Sequence, residues 1–372
     1  MSIFRGKGNK MFEYVRIKKL KAGDVVAKNI YDDKSHLLIR KGNALTDRSI
    51  SVIKEFGYKG VYIQVDGDTI SGDVSVPEPV VDDITQLRVI SILRDIYYNK
   101  EYHMNPYEPN FMKSLKLLEV DLRDMIHMMI DAKLHYALLF EAEDNRSKNN
   151  WLFYHLVNVC MLSIGIGISL GLTEEELFQV ALGAVLHDMG KSWFADDVVN
   201  GEKLSKEKKK LLRDHTTEFF RILQRCQYPV NVTYAVWQHH EKLDGSGYPN
   251  GLLADKILLS ARIVAVANAY DNMINLNPYN HEPIYQSDAL ECMCASTEFD
   301  VDCVRGLMAI VAPYPVGCHV LLSNNETALV IQNRVGLPLR PVVMIKTLEG
   351  RKYIDMSNND EYRSVIVTQV LE

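Results

Sequence analysis

The sequence lacks features that would place it in a specialised class. Its six cysteines form no Cys-x-x-Cys pair, which argues against a thiolate zinc site or a disulfide framework. The formal net charge is −6, so the chain lacks the basic excess that favours binding to a nucleic-acid polymer. The composition indicates an ordinary globular protein, and it still allows a local basic pocket for one small anionic ligand.

Long apolar runs are also scarce. We find no run near the ~18 apolar residues that a membrane span needs. No apolar stretch follows the basic start MSIFRGKGNK, so residues 1–10 predict an extension before Met11 rather than a secretory signal. The cysteines lie in patterns such as VNVCMLSIGIG and are expected to be reduced core thiols. These absences predict a cytoplasmic protein without a membrane span.

Periodicity divides the chain into regions. Residues 1–66 show short alternating apolar runs around one helical stretch, which predicts a small β-rich module. Residues 67–83 are rich in Gly, Asp, Ser and Pro and are expected to be a linker. Helical spacing continues through a connecting region, 84–149, and a larger domain, 150–312. Residues 313–372 return to strand alternation and predict a small antiparallel β module. The predicted fold is mainly α, an all-helical bundle flanked by β-rich modules.

Several histidines and one aspartate fall on the predicted apolar helices. One histidine lies in WLFYHLVNVC, one lies in KKKLLRDHTTEFFRIL, and two end VTYAVWQHH. A histidine and the aspartate come at the end of the helix predicted in ALGAVLHDMGK, where Gly190 is expected to stop it. They are His155, His187, Asp188, His215, His239 and His240. Imidazoles and carboxylates are common ligands of iron, manganese and zinc, and side chains on several helices can meet in a bundle core. Each alone is more often a structural residue, but together they favour a metal site.

Two motifs carry a family resemblance. LHDMGK at 186–191 resembles the HD motif of HD-domain metal-dependent phosphohydrolases, and HHEKLDGSGYP at 239–249 resembles the signature of their HD-GYP branch. The two letters HD are weak evidence, whereas the two motifs together are highly specific. The resemblance covers roughly residues 150–310.

The resemblance implies an all-helical domain that hydrolyses cyclic di-GMP with two or three iron or manganese ions. It implies that the six residues named above are metal ligands and that Lys191 lies near the scissile phosphate. Asp188 would suit a bridge between two ions, since a carboxylate offers two oxygens. The resemblance also places a substrate-side loop at Asp244, Gly245, Gly247, Tyr248 and Pro249. Two ions can share a hydroxide of lowered pKa for attack on phosphorus, with Lys191 stabilising negative charge on the phosphate.

The sequence departs from the family pattern at three places. Asn268, in ARIVAVANAYDNMI, replaces an aspartate ligand, and an amide oxygen can coordinate a metal without offsetting its charge. The sequence Asn277-Pro-Tyr279-Asn280 stands where the family has RPYR or RPYK, so Asn277 and Asn280 replace the two cations. Tyr279 is kept, and the resemblance implies that it contacts the substrate. Trp151 replaces the glutamate of members with three metals, so we expect a site for two ions.

These departures leave three hypotheses open. The first is a bacterial signal-transduction enzyme, a cytoplasmic phosphodiesterase for cyclic di-GMP whose activity Asn268, Asn277 and Asn280 could reduce. The second is a degenerate HD-GYP adaptor that binds a ligand or partner without turnover. The third is a phosphohydrolase for a related nucleotide. The flanking modules are expected to serve regulation, a homodimer or a signalling-protein partner.

Overall fold

The chain forms two compact units. One contains the described residues between 11 and 65 together with those between 311 and 371, and the other contains those of 80–132 and 150–310. The computed structural model describes residues 11–32, 36–56, 58, 60–65, 80–105, 107–132, 150–201, 204–275, 277–280, 282–334, 337–348 and 350–371. Residues 1–10, most of the predicted linker and residues 133–149 therefore lie outside the described part.

The N-terminal part of the first unit has short strands around one helix, as the alternation predicts. Its elements are β1 (Met11–Arg16), β2 (Val25–Val26), β3 (Ile30–Tyr31), β4 (Leu37–Ile39), α1 (Asp47–Glu55) and β5 (Gly60–Val65). Strand β5 pairs antiparallel with both β1 and β2, and β3 pairs with β4. Thr46 caps the start of α1, because its hydroxyl accepts a hydrogen bond from the amide of Ser49 and the Ser49 hydroxyl accepts one from the Thr46 amide.

The C-terminal part of this unit is an antiparallel sheet. Its strands are β6 (His319–Leu322), β7 (Thr327–Gln332), β8 (Val342–Thr347), β9 (Gly350–Asp355) and β10 (Val367–Leu371), in the order β10-β6-β7-β8-β9. Phe12, Ala27 and Tyr62 form one buried cluster with Val316. The two β modules that the sequence presents as separate therefore belong to one unit.

The second unit is helical. Its helices are α2 (Asp83–Tyr98), α3 (Glu101–Met104), α4 (Pro109–Asp131), α5 (Trp151–Ser169), α6 (Glu174–Leu186), α7 (Asp196–Val199), α8 (Lys206–Arg213), α9 (His215–Arg225), α10 (Val230–Gln238), α11 (Leu259–Ile274), α12 (Gln286–Ala295) and α13 (Val301–Ile310). Helix α5 packs against α6, α11 and α13, while α10 packs against α6, α9 and α11. A helical bundle with β-rich modules formed by the two ends of the chain confirms the predicted fold class.

Helix α5 is more apolar than the sequence analysis allowed. Of the helices in the described residues, it is the one long and apolar enough to cross a membrane, with a window of mean hydropathy 1.7. However, 83% of that window is buried inside the bundle. The core helix of a water-soluble fold passes the same test, because burial in protein and burial in lipid both select apolar residues.

The structure corrects two local predictions near the site. The segment predicted as one helix over KKKLLRDHTTEFFRIL breaks at Asp214, so His215 begins α9. Gly190 does not stop a helix, since α6 already ends at Leu186 and Gly190 lies inside the 3-10 turn Met189–Trp193. A Cβ atom at Gly190 would lie 2.0 Å from the carbonyl oxygen of His215, so glycine allows this turn to approach α9.

The cysteines are all free thiols, but they are not all in the core. Cys160 and Cys303 are buried, whereas Cys292 and Cys294 on α12 are exposed. The exposed pair corrects the expectation of core thiols, because α12 buries only one side of its surface and these two residues lie on the other.

Candidate metal centre

The six predicted ligands come from four helices that are separated along the chain. His155 lies inside α5, His187 follows the last residue of α6, and Asp188 comes next. His215 begins α9, and the pair at 239 and 240 follows α10. All are nearly inaccessible to solvent except His240, which is half-buried. Polar side chains at this depth need partners.

Asp188 lies at the centre of this cluster, and its two oxygens face different histidines. Oδ1 lies 3.0 Å from Nε2 of His215 and 3.8 Å from Nε2 of His239. Oδ2 lies 3.4 Å from Nε2 of His187 and 3.7 Å from Nε2 of His155. The potential ligand atoms form two groups, each within 4.8 Å, one with His215, His239 and His240 and one with His155 and His187, and Asp188 belongs to both.

In four of the histidines, the hydrogen-bond partner of Nδ1 determines which ring nitrogen carries the lone pair. Nδ1 of His187, His215 and His239 contacts the carbonyl oxygen of Ala184, Leu212 and Val236 at 2.7, 2.6 and 2.8 Å. A carbonyl only accepts, so Nδ1 donates and Nε2 carries the lone pair. In His155 the corresponding partner is the carboxylate of Asp271, at 2.6 Å.

Lone pairs therefore face one another at the centre. Nε2 of His155 lies 3.3 Å from Nε2 of His187, and Nε2 of His215 lies 3.4 Å from Nε2 of His239. Neutral imidazoles in this tautomer cannot donate to each other. Among the described residues, Oδ1 of Asp188 is likewise a buried oxygen without a hydrogen-bond donor. Facing lone pairs and an orphaned carboxylate oxygen are a donor set that fits cations.

Burial favours the unprotonated form of three of the histidines. It lowers the pKa of His155, although Asp271 opposes the effect, and it lowers the pKa values of His239 and His240 well below the ordinary value. Burial raises the pKa of Asp188, but the effect of the Lys191 ammonium is opposite, and the pKa lies well below its usual range. Neutral imidazoles and an ionised carboxylate are the forms that bind metals.

Lys191 lies on the same side of the cluster as two aromatic rings. Its Nζ donates to Oδ2 of Asp188 at 2.5 Å and lies 5.2 Å from the ring centre of Trp151 and 5.7 Å from that of Tyr279. The indole of Trp151 donates to Oδ1 of Asn200, and the Tyr279 hydroxyl donates to the carbonyl of Val199. The two rings thus hold a buried ammonium next to the aspartate.

The HHEKLDGSGYP loop folds back onto its own histidine. The ring of Tyr248 stacks on that of His240, with centres 4.6 Å apart, and the Tyr248 amide donates to the His240 carbonyl at 3.1 Å. Pro249 follows through a cis peptide bond. A Cβ at Gly247 would lie 2.4 to 2.5 Å from backbone of residues 240–242, so only glycine fits there.

Two loop residues predicted to face the substrate have no role in the cluster. Asp244 is exposed, and its carboxylate accepts from the amide and hydroxyl of Ser246 at 2.9 and 2.7 Å, which lowers its pKa. Gly245 has a φ of +80° at the bend of this turn. Both form the frame of the loop, and their contact with substrate stays a prediction.

Sequence reasoning quoted Glu241 in the motif but gave it no role. Its side chain is buried, and its two oxygens accept hydrogen bonds from the amides of Asn250 and Leu252 at 2.7 and 2.9 Å. Glu241 thereby fixes the far end of the loop. In the sequence, only its position directly after His240 pointed to a role for Glu241 near the centre.

Asn268 lies buried on α11, and its Oδ1 accepts a hydrogen bond from Nδ2 of Asn272 at 2.7 Å. A carbonyl oxygen has two lone pairs, so coordination through the second stays a prediction. Asn280 donates to the backbone carbonyl of Asn272 at 2.8 Å, and Oδ1 of Asn277 accepts from two backbone amides at 2.9 Å. The asparagines at the family's cation positions therefore stabilise their own turn.

Comparison with known proteins agrees with this geometry. An HD domain family model matches residues 141–302. The chain is 30% identical over 203 residues to cyclic di-GMP phosphodiesterase PA4108 of Pseudomonas aeruginosa, covering 54% of this chain and 49% of that protein. It is 31% identical over 227 residues to a cyclic di-GMP phosphodiesterase of Thermotoga maritima, covering 58% and 59% of the two proteins.

A third relative acts on a different cyclic dinucleotide, and a solved structure shares the fold. The 3'3'-cGAMP-specific phosphodiesterase 3 of Vibrio cholerae is 26% identical over 208 residues, or 54% of this chain and 45% of that protein. The structure of Bd1817, an HDG"Y"P protein from Bdellovibrio bacteriovorus, has a TM-score of 0.51 at 19% identity, with 80% of this chain and 98% of that chain covered.

The chain spans only about half to three-fifths of the length of these three relatives. The matched region nevertheless contains both motifs and every clustered histidine. Residues 141–302 are therefore similar to the HD domain family, and both motifs lie intact around one carboxylate-centred cluster.

Proposed function

We propose that this protein is a metal-dependent phosphodiesterase that hydrolyses a cyclic dinucleotide, with cyclic di-GMP as the substrate. The proposal rests on the position of the Asp188 carboxylate. Its Oδ1 faces His215 and His239, and its Oδ2 faces His155 and His187. A carboxylate between two pairs of imidazole lone pairs fits a pair of cations. The names of the relatives support the substrate class.

Two divalent ions, iron or manganese, are the proposed cofactors. His155 and His187 would hold one ion and His215, His239 and His240 the other, with Asp188 between them and Asn268 as a neutral additional ligand. When bound, such ions supply a hydroxide of lowered pKa and a strong positive charge next to the phosphate.

Trp151 supports a site for two ions rather than three. Its ring lies 6.0 Å from the rings of His155 and Tyr279, and the Lys191 ammonium lies over it at 5.2 Å. An indole offers no metal ligand, and a neighbouring ammonium repels a further cation. At the position where the family resemblance implies a glutamate in members with three metals, this chain therefore has an indole ring with an ammonium group next to it.

Lys191 and the loop would act on the substrate directly. The buried ammonium can donate to the non-bridging oxygens of the reacting phosphate, where its charge is stronger than in water. Tyr248 stacks on His240, and Tyr279 lies near Lys191, so both rings are next to residues of the centre. Burial lowers the pKa values of His155, His239 and His240, which favours the unprotonated imidazoles that bind a metal.

A second candidate is an adaptor that binds ligand without turnover. The observation in its favour is that Asn268, Asn277 and Asn280 replace charged groups and use their amides in local hydrogen bonds. The same changes would suit a phosphodiesterase for another cyclic dinucleotide. In all three cases we propose a cytoplasmic signalling protein, with its β unit serving regulation, a homodimer or a protein partner.

Anaerobic reconstitution with ferrous iron or manganese, followed by metal analysis and a turnover assay, tests the proposal. We expect about two ions per chain and conversion of cyclic di-GMP to its linear form, with 3'3'-cGAMP and mononucleotides as comparison substrates. The Asp188→Asn variant is expected to lose both metal and turnover. Metal without turnover of any nucleotide would favour the adaptor, and absence of metal would overturn the proposal.

A further inference from the structure

Helix α8 is strongly basic in a protein of net charge −6. Its sequence KEKKKLLR contains five cationic residues and one glutamate. Lys209 and Lys210 precede Arg213 by four and three residues, so each of them lies next to Arg213 on the helix surface. Lys208 is engaged elsewhere, by an ion pair of 2.5 Å with Asp197.

Arg213 joins this basic face to the metal centre. The central carbon of its guanidinium lies 4.8 Å from the ring centre of Tyr248, and Tyr248 in turn stacks on His240. Arg213 also precedes His215 by two residues, where α8 ends. It is exposed, and within the described residues it forms no ion pair with a carboxylate.

A cyclic dinucleotide has two phosphodiesters, and the site described above serves only one of them. The metals and Lys191 would contact the reacting phosphate. The second phosphate needs another cation, and Asn277 and Asn280 carry no charge. Their side chains are moreover bound to the turn around residues 272–280.

We propose that Arg213 binds the second, non-reacting phosphate of the cyclic dinucleotide, with Lys209 and Lys210 adding to the positive field. The inference rests on the proposed function and specifies its substrate contacts. The Arg213 guanidinium lies over the ring of Tyr248 and pairs with no carboxylate among the described residues, so its N–H groups are available for the paired hydrogen bonds that phosphate accepts. Arg213 thus supplies from α8 the charge that the turn at 277–280 lacks.

The test compares two substrates that differ in their number of phosphates. Cyclic di-GMP has two phosphodiesters, whereas bis(p-nitrophenyl) phosphate has only the one that reacts. For Arg213→Gln we expect KM for cyclic di-GMP to rise about ten- to hundredfold with kcat nearly unchanged. Arg213→Lys should lie between this variant and the parent, because it keeps the charge and loses the fork.

Two controls separate substrate binding from support of the loop. Hydrolysis of bis(p-nitrophenyl) phosphate and the metal content should be the same in Arg213→Gln and in the parent protein. Arg221→Gln removes an exposed arginine that pairs with Glu218 on α9 and should leave both substrates unaffected. If Arg213→Gln slows both substrates equally, Arg213 only supports Tyr248 and the inference is overturned.

The remaining outcomes distinguish this inference from the proposed function. Turnover of cyclic di-GMP with an unchanged KM in Arg213→Gln overturns the inference alone. If the parent hydrolyses only bis(p-nitrophenyl) phosphate, the proposed function fails, and calorimetric binding of cyclic di-GMP decides. Binding that weakens at least about tenfold in Arg213→Gln supports the inference, and absence of binding by the parent overturns it.

Discussion

Asp271 and His155 are joined in the core of the helical bundle, where Oδ2 of the aspartate lies 2.6 Å from Nδ1 of the histidine. The other oxygen of Asp271 accepts from the side-chain amides of Asn158 and Asn275 at 3.3 and 3.0 Å. Both partners of the main contact are almost fully buried. The aspartate therefore fixes the orientation and tautomer of an imidazole whose Nε2 faces the centre.

The Asp271→Asn variant tests this positioning role. An amide can still accept from Nδ1 but loses the charge that makes the imidazole a stronger ligand, so we expect metal affinity and turnover to fall about ten- to hundredfold. Metal titration under anaerobic conditions measures the effect. Asp255→Asn, at an exposed aspartate, is the matched control. Unchanged affinity in Asp271→Asn would limit the contact to a structural role.

The Asn268→Asp variant tests whether the missing carboxylate limits the enzyme. An added negative charge on α11 should offset more of the charge of the ions, and we expect metal affinity and kcat to rise by about tenfold. The exposed Asn358→Asp, in the β unit, makes the same chemical change away from the helices. Equal activity of parent and Asn268→Asp would show that Asn268 is no ligand.

Glu241→Gln tests the anchor of the substrate-side loop. A glutamine offers one oxygen and places an NH₂ group against the second of two backbone donors, so one hydrogen bond is lost in a buried place. The free energy of unfolding should fall by about 1–3 kcal/mol, as measured with urea, and KM should rise while metal content stays constant. Glu298→Gln, at the half-exposed partner of Lys242, is the control. A loss of metal in Glu241→Gln would contradict a role confined to the loop.

The buried histidines predict acid sensitivity of the metal-free protein. In the folded state burial lowers the pKa values of His155, His239 and His240, whereas in the unfolded chain they titrate near 6.5. Below about pH 6.5 the unfolded chain therefore binds more protons, and stability falls by about 1.4 kcal/mol per pH unit for each such imidazole.

Urea unfolding between pH 5 and pH 7.5 measures this dependence. The His239→Asn variant should have a shallower decline than the parent, because it removes one of the three groups. A flat profile in the metal-free parent would contradict the predicted linkage.

Helical periodicity was enough to predict the bundle, because apolar spacing reports directly which face of a helix is buried. It failed at Asp214, where the polar run before His215 hides a break between α8 and α9. It also misjudged Gly190, whose role is to let the backbone approach His215. The error at Gly190 concerns a contact between segments that lie apart in sequence, and spacing contains no information about such contacts.

The sequence by itself determined which chemistry is present: the HD and HHEKLDGSGYP motifs, their imidazoles and carboxylate, and the asparagines at charged positions of the family. Tertiary structure alone decided which of these groups meet: one oxygen of Asp188 faces one pair of histidines, and the other oxygen faces the second pair. It also placed Arg213 on Tyr248 and Lys191 against Trp151. The physical reason is that residue type sets the donor and the charge, whereas distance and direction depend on how α5, α6, α9 and α10 pack together.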